Sequence, residues 1–313
     1  MAMQSRDIQM MGTVIHLAIQ HEYAEFVLDK IILRLKEYEK RFSANDPTSE
    51  LVEVNQNAGI QPVKINPGLY ELIKIGKKHS TAEDSSLNIA IGPLVQAWRI
   101  GFEDAKVPSH QDIQSLLSKT NAKDIILDDE NLTVFLKHTG MFIDLGALAK
   151  GFIADLIIQD LEAMNATSAL INLGGNVMTY GISPNQKDGY WRIGIQHPFL
   201  PRGNYIAVLK AFNQSVVTSG VYERTFTMNN KTYHHILDST TGYPIQTKIA
   251  GLTIVSNKSV DGEIWTSRLF RQSPSQIIHT LNQIQDVAGI VVTKDGELYY
   301  SESLRPYLIE TYI

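Results

Sequence analysis

From Ser168 onward the chain reads as one short apolar strand after another: SALINLGG, YWRIGIQ, YIAVLKAF, SVVTSG, YHHILD and AGLTIVS. Before that point, helix-period segments alternate irregularly with strand and loop. Met11–Ile19 is apolar and rich in β-branched residues, which predicts a strand. Glu22–Tyr38 has apolar residues at 23, 26, 27, 31, 32 and 35, the spacing of one helix face. Ser43–Ser49 is rich in turn-forming residues and reads as a loop. Asn66-Pro67 opens a helix to about Lys78, with Pro at the first helical position. Gly146–Met164 puts Leu148, Phe152, Ile153, Leu156, Ile157 and Leu161 on one helix face. Helices are predicted over 259–271 and 274–284, and a closing hairpin from Asp286 to Tyr300. Strands and helices mix without a regular βαβ alternation, so the fold class is α+β rather than a doubly wound sheet.

Length allows two domains or one large one. A single unit over 1–313, bilobal at most, is expected because no composition shift or low-complexity stretch marks a linker. With 28 basic against 33 acidic residues the net charge is −5, which argues against a nucleic-acid surface. The chain has no cysteine, so disulfides, iron–sulfur clusters, thiolate zinc sites and a Cys nucleophile are excluded. No apolar run serves as a signal-peptide core or a membrane helix, and a cytoplasmic protein without stable membrane insertion is expected. Neither GxGxxG, a P-loop, HExxH nor GxSxG occurs.

Four polar, glycine-containing segments sit at the ends of apolar elements. Asp144–Gly151 (DLGALAKG) precedes an amphipathic helix. It is either an anion-receiving N-terminus with Lys150 adding charge, or a plain start capped by Asp144. Ile171–Asn176 (INLGGN) pairs two glycines after a strand, for close ligand approach or for a turn. Ser215–Arg224 and Tyr233–Pro244 together offer hydroxyls, a carboxylate, an Arg and two adjacent histidines. Strand alternation lets only one of His234 and His235 face a pocket. A Ser219–His235–Asp238 hydrolase is a weak match without a nucleophile elbow. In Ser256–Ser267, Ser259 or Asp261 caps a helix, or Asp261 and a nearby hydroxyl hold a hard cation such as Mg²⁺.

In this order the segments resemble the ApbE family of flavin transferases. The resemblance runs from Met11-Gly-Thr13 through Phe42-Ser43, Ser49-Glu-Leu51, Asn55, Ile91-Gly-Pro-Leu94, Asp144–Gly151 and Asn172–Asn176. It continues through Thr218-Ser-Gly220, Tyr222-Glu-Arg224, His235-Ile-Leu-Asp238, Thr241-Gly242 and Asp261. It implies the family's architecture, related to the T-fold, and an enzyme that binds FAD and a divalent cation, usually Mg²⁺. Such an enzyme cleaves the pyrophosphate and joins FMN by a phosphoester to a Ser or Thr of a target protein, releasing AMP. The family's targets are subunits of respiratory or reductase systems.

Residue by residue, the resemblance implies His235 as the base, with a pKa near neutrality. Asp261, Thr266 and the Ala147 carbonyl are implied as metal ligands. Asn172, Gly174 and Gly175 would lie on the flavin, and Met11, Ser43 and Glu50 on the adenosine side. Ser219, Gly220, Glu223 and Asp238 complete the cofactor set. The chain departs from the family pattern at Asn88 and Ser239, where Asp and Pro are usual, and at Val221, where Asp is usual. The family's metal-binding Thr lies four residues after its Asp, where this chain has Trp265. Thr266 therefore requires a bulge or a late helix start. Glu263, two residues past Asp261, competes for the cation but points about 200° away.

Overall fold

The computed structural model describes residues 3–311. In chain order the first strands and helices are β1 (Met3–Met10), β2 (Thr13–Gln20), α1 (Ala24–Phe42), α2 (Glu50–Gln56), β3 (Val63–Lys64) and α3 (Pro67–Ser80). Then come α4 (Gly92–Trp98), α5 (His110–Leu117), β4 (Ile125–Asp128), β5 (Thr133–Leu136), α6 (Ala149–Ala163), β6 (Ser168–Leu173) and β7 (Asn176–Gly181). They are followed by β8 (Trp191–Gln196), β9 (Tyr205–Ala211), β10 (Ser215–Gly220), β11 (Thr225–Met228) and β12 (Lys231–His234). The last are β13 (Ile249–Ser256), α7 (Ser259–Leu269), α8 (Pro274–Leu281), β14 (Val287–Thr293), β15 (Leu298–Tyr300) and β16 (Leu308–Thr311).

The main sheet has eight strands in the order β1-β2-β6-β7-β10-β13-β14-β15. Smaller sheets are β16-β9-β8, β3-β5-β4 and β11-β12. Every pairing among the described strands is antiparallel, so the α+β class, with sheets expected mixed or antiparallel, holds in its antiparallel form. β13 is buried along its whole length because both faces are covered. Leu252 and Ile254 meet Leu269, Phe270 and Ile277 of α7 and its successor turn and helix. Val255 faces the other way, onto Ile193, Ile195 and Leu209 of the β16-β9-β8 sheet. The β2/β6 half packs Leu17, Ile19 and Ile171 against Leu28, Ile31, Ile153 and Ile157 of α1 and α6.

β1 carries no apolar alternation that sequence could use. It is an edge strand, mostly exposed, whose polar residues face water. Met11 and Gly12, both at positive φ, close its two-residue hairpin with β2, so the expected strand begins at Thr13. α3 and α8 start where local signals put them: Asn66 Oδ1 accepts from the Gly68 N–H, and Ser273 with Gln276 forms a capping box. The predicted strand through Asp238 ends instead at His234. There the His234 ring bridges two backbone groups, with Nε2 to the Ile245 carbonyl at 3.0 Å and Nδ1 to the Ile236 N–H at 3.3 Å. That tether bends the chain, so the separation of the two histidines comes from a bend and not from strand alternation. Among the described residues, no helix is long and apolar enough to cross a membrane.

Candidate active site

Antiparallel register brings four chain segments to one end of the main sheet. β2 pairs with β6 up to Ile15↔Leu173, which sets Met11–Thr13 beside the β6–β7 turn at Gly174-Gly175. β10 pairs with β7 only as far as Val217↔Asn176, so Thr218, Ser219 and Gly220 run past that turn. Gly220 still pairs with Gly251 at the start of β13. The Gly174-Gly175 turn is held by Asn172, whose Oδ1 accepts from the Gly175 N–H at 2.7 Å. Both glycines have positive φ, and a Cβ on Gly174 would collide with the Thr13 side chain. At Gly175 a Cβ would meet nothing within 4 Å, so the turn backbone is open to a ligand there.

A second group of residues is charged. Asp144 precedes α6, its Oδ1 accepting from the Gly146 N–H at 2.8 Å, and so shapes a turn instead of capping the helix. Burial pushes the Asp144 carboxyl above the usual range, against the opposing pull of Arg224 and Lys150. Arg224 and Lys150 also act on His235. Asp144, Lys150, Arg224 and His235 thus share one electrostatic environment. The His235 Nδ1 lies 3.3 Å from the Arg224 carbonyl, which can only accept, so Nδ1 carries the proton and Nε2 keeps its lone pair. Burial first, then Arg224, pushes this imidazole down to about 4, well below the near-neutral value expected for it. No Ser–His–Asp triad is assembled, because the Asp238 Oδ1 accepts from the N–H and hydroxyl of Thr240 at 2.8 and 2.6 Å. Asp238 instead builds the 238–242 turn, which Trp98 Nε1 locks by bonding the Gly242 carbonyl at 2.8 Å.

α7 supplies the third group and differs most from expectation. It is regular α-helix from Ser259, with neither bulge nor late start. Thr266 is fully buried and its hydroxyl donates to the Glu263 carbonyl at 3.1 Å, so it faces the core and not a cation. Asp261 bears electrostatically on Asp155, which caps the same helix, and is itself acted on by Lys258. Glu263 is the carboxylate that reaches the charged group. It is only 5% exposed, and its Oε1 takes the Asn176 amide at 3.0 Å and lies 3.5 Å from Lys150 Nζ. Its Oε2 has no hydrogen-bond partner among the described residues. Behind Asn176, Ser259 Oγ donates to Oδ1 at 2.6 Å and Ser215 Oγ donates to Ser259 Oγ at 2.9 Å, a buried relay ending on Glu263.

The helices α6 and α7 touch at Gly151, where any Cβ would meet the Ser259 carbonyl and the Glu263 side chain. Neither Ser259 nor Asp261 caps α7. Asp155 of α6 does so, accepting the Ser259 and Val260 N–H groups at 2.6 and 2.9 Å. Ala147 lies exposed in the turn before α6. Its carbonyl stays out of the first helical bonds, which run from Ala149 to Leu145 and from Phe152 to Leu148. Among the described residues no three acidic, His or Cys side chains gather as a metal cage. Glu263 Oε2 and the Ala147 carbonyl are both oxygen donors of the kind hard cations take.

Several expected ligand contacts are occupied by structural bonds. Ser43 Oγ accepts from the Asn45 and Asp46 N–H groups. Glu50 uses Oε1 on Arg41 and Oε2 on the Asn66 N–H. The Met11 N–H donates to Glu39, and Glu223 pairs with Arg202 at 2.6 Å. Asn88 caps its own short turn through the Ala90 N–H and donates to the Thr120 carbonyl, a job an amide does and an Asp could do only in part. The contacts of Asp155 and of the Asn176 relay could not be read from sequence, since their partners lie 104 and 87 residues away. Glu263 did carry a sequence signal: Ser267 follows it by four residues, the carboxylate–hydroxyl spacing that Asp261 lacks.

The ApbE family model matches residues 11–291. An FAD:protein FMN transferase of Klebsiella pneumoniae is 39% identical over 296 residues, covering 95% of this chain and 91% of the relative. One from Treponema pallidum is 34% identical over 288 residues, covering 88% and 80%. The crystal structure of the ApbE protein of Thermotoga maritima superposes with a TM-score of 0.89 at 25% identity, covering 99% of this chain and 100% of that one. The flavin transferase ApbE of Vibrio cholerae shares the fold, with a TM-score of 0.82 at 22% identity over 98% of this chain and 99% of its own. The chain belongs to the ApbE family.

Proposed function

We propose that the chain is an FAD:protein FMN transferase, which cleaves FAD and links FMN to a Ser or Thr hydroxyl of a target protein. The observation that carries this reading is the His235 ring. Its Nδ1–H is committed to the Arg224 carbonyl, so Nε2 is free to accept a proton beside two cationic side chains.

In this reading the Gly174-Gly175 turn, with Asn172, Ser219 and Gly220, receives the flavin half. Met11, Ser43 and Glu50 shape the adenosine side mainly through the loops they hold, and Glu223 and Asp238 do the same around Arg224 and His235. Lys150 and Arg224 neutralise the pyrophosphate oxygens, which phosphoryl transfer requires. Glu263 and the Ala147 carbonyl would hold a Mg²⁺ ion, which supplies further charge neutralisation on the phosphates when bound. Asp261 and Thr266 stand as the alternative ligands, with the geometry against both. His235 Nε2 takes the proton of the target hydroxyl as that oxygen bonds to the FMN phosphorus. The P–O bond to the AMP half breaks, and AMP leaves with the bridging oxygen. The target is a protein of the respiratory or reductase type, and the work is done in the cytoplasm.

The test is incubation with FAD, Mg²⁺ and a protein carrying a flavinylation-type Ser/Thr segment. Covalent flavin on that protein is the expected result. Free FMN plus AMP would make the enzyme a pyrophosphatase, and unchanged FAD would make it a flavin-binding protein.

A further inference from the structure

Glu263 is a buried carboxylate with one cation beside it. Lys150 Nζ is 3.5 Å from Oε1, and its other contact is an equally long approach to the Gly146 carbonyl. Both distances exceed the 2.7–2.9 Å typical of a charge-assisted bond. The Lys150 side chain is 26% exposed against 6% for that of Glu263. The two partners are also held differently. Glu263 is fixed by the Ser215–Ser259–Asn176 relay. Lys150 ends a flexible four-carbon stem and has no such anchor. Its ammonium also bears electrostatically on Asp144 and His235, so its charge reaches both the carboxylate and the reaction centre.

We infer that Lys150 is an internal stand-in for the divalent cation: it pairs with Glu263 in the cation-free protein and turns to the FAD pyrophosphate once a divalent cation takes that carboxylate. The inference rests on the reading of Glu263 as the cation's carboxylate. A buried carboxylate stripped of its partner is strongly destabilising, so Glu263 needs a cation in every state. Two cations on one fixed carboxylate repel each other, and the one on the flexible stem leaves. The released ammonium then meets the phosphates. Cation and FAD thereby favour each other's binding, a coupling that is reciprocal by linkage.

Calorimetric titration of flavin-free protein with Mg²⁺ tests this, using Lys150→Met, with Lys150→Gln as a second variant. Removal of the internal competitor should tighten Mg²⁺ binding about tenfold, within the usual range of coupling energies. Mg²⁺ should also raise the melting temperature of the variants more than that of the parent. FAD affinity, read by flavin fluorescence, should fall in the variants by a larger factor when Mg²⁺ is present than in EDTA. Unchanged or weaker Mg²⁺ binding, or an equal loss of FAD affinity with and without Mg²⁺, makes Lys150 an ordinary phosphate ligand and overturns the inference. Glu263→Gln separates the two levels. If it binds Mg²⁺ as tightly as the parent, the reading of Glu263 falls, and the inference falls with it.

Discussion

The two ends of the site are built from different materials. The Gly174-Gly175 turn is backbone, set by strand register, by positive φ and by one amide bond from Asn172. The α6–α7 junction is side chain: Asp155, Lys150, Asn176 and Glu263 hold two helices together through charge and hydrogen bonds. The first presents neutral dipoles and tolerates no Cβ at Gly174. The second tolerates little loss of charge, because a buried polar group without its partner costs about 1–3 kcal/mol and an ion more. A flavin ring needs shape, while a pyrophosphate needs charge, and each end supplies one of them.

The largest effect separates the two ends through the base they share. His235→Ala should slow transfer by about 10²–10⁴-fold while FAD binding holds. His234→Ala should instead lower the melting temperature, since its ring ties the backbone on both sides. Because His235 is pushed to about 4, the parent's acid limb should lie well below pH 6.5. A pH–rate profile that breaks near 6.5 would assign the base elsewhere.

Glu263→Gln comes next, with Mg²⁺ affinity falling about 10²-fold, or about 2.7 kcal/mol. Retained affinity would make the junction a structural clamp only. Asp155→Ala should cost about 1–3 kcal/mol in denaturant unfolding, by leaving the first N–H groups of α7 without an acceptor.

Asp155 also has a pH signature. Burial raises its pKa to about 6, so its contribution is full below 3.8 and lost as pH rises through 6. His235 and His79, both pushed down to about 4, act in the opposite sense: their contribution is full above 6.5 and lost as pH falls toward 4. Asp155→Asn should therefore steepen the loss of melting temperature between pH 6 and 4. An unchanged slope would mean that Asp155 does not titrate there.

At the backbone end, Gly174→Ala should destabilise by about 1–3 kcal/mol through its left-handed φ and the Thr13 collision. Gly175→Ala meets open space and should cost less, from φ alone. Equal losses would show that strain and not contact governs the turn. The smallest effect is expected from Asp261→Asn, with transfer within about twofold and stability within about 0.5 kcal/mol of the parent. Loss of Mg²⁺ dependence in that variant would return the cation to Asp261.

Local chemistry was enough for much of the fold. The apolar spacing of α1, the Asn66-Pro67 start of α3 and the β-branched run of β13 are each decided within a few residues, so one segment carries the whole signal. The glycines of the Gly174-Gly175 turn were legible for the same reason: positive φ is a local demand that few other residues meet. Only the tertiary structure decided which side chains share the site. Asp155 caps a helix that begins 104 residues later, and Asn176 meets Glu263 across 87 residues. The choice between Asp261 and Glu263 depends on which face of α7 lies against α6, and α7 is buried on nearly all sides, so its sequence has no amphipathic stripe to reveal that face. Rotation of a helix about its axis is fixed by the elements packed against it, and for α7 those are Gly151, Asn176 and Val217.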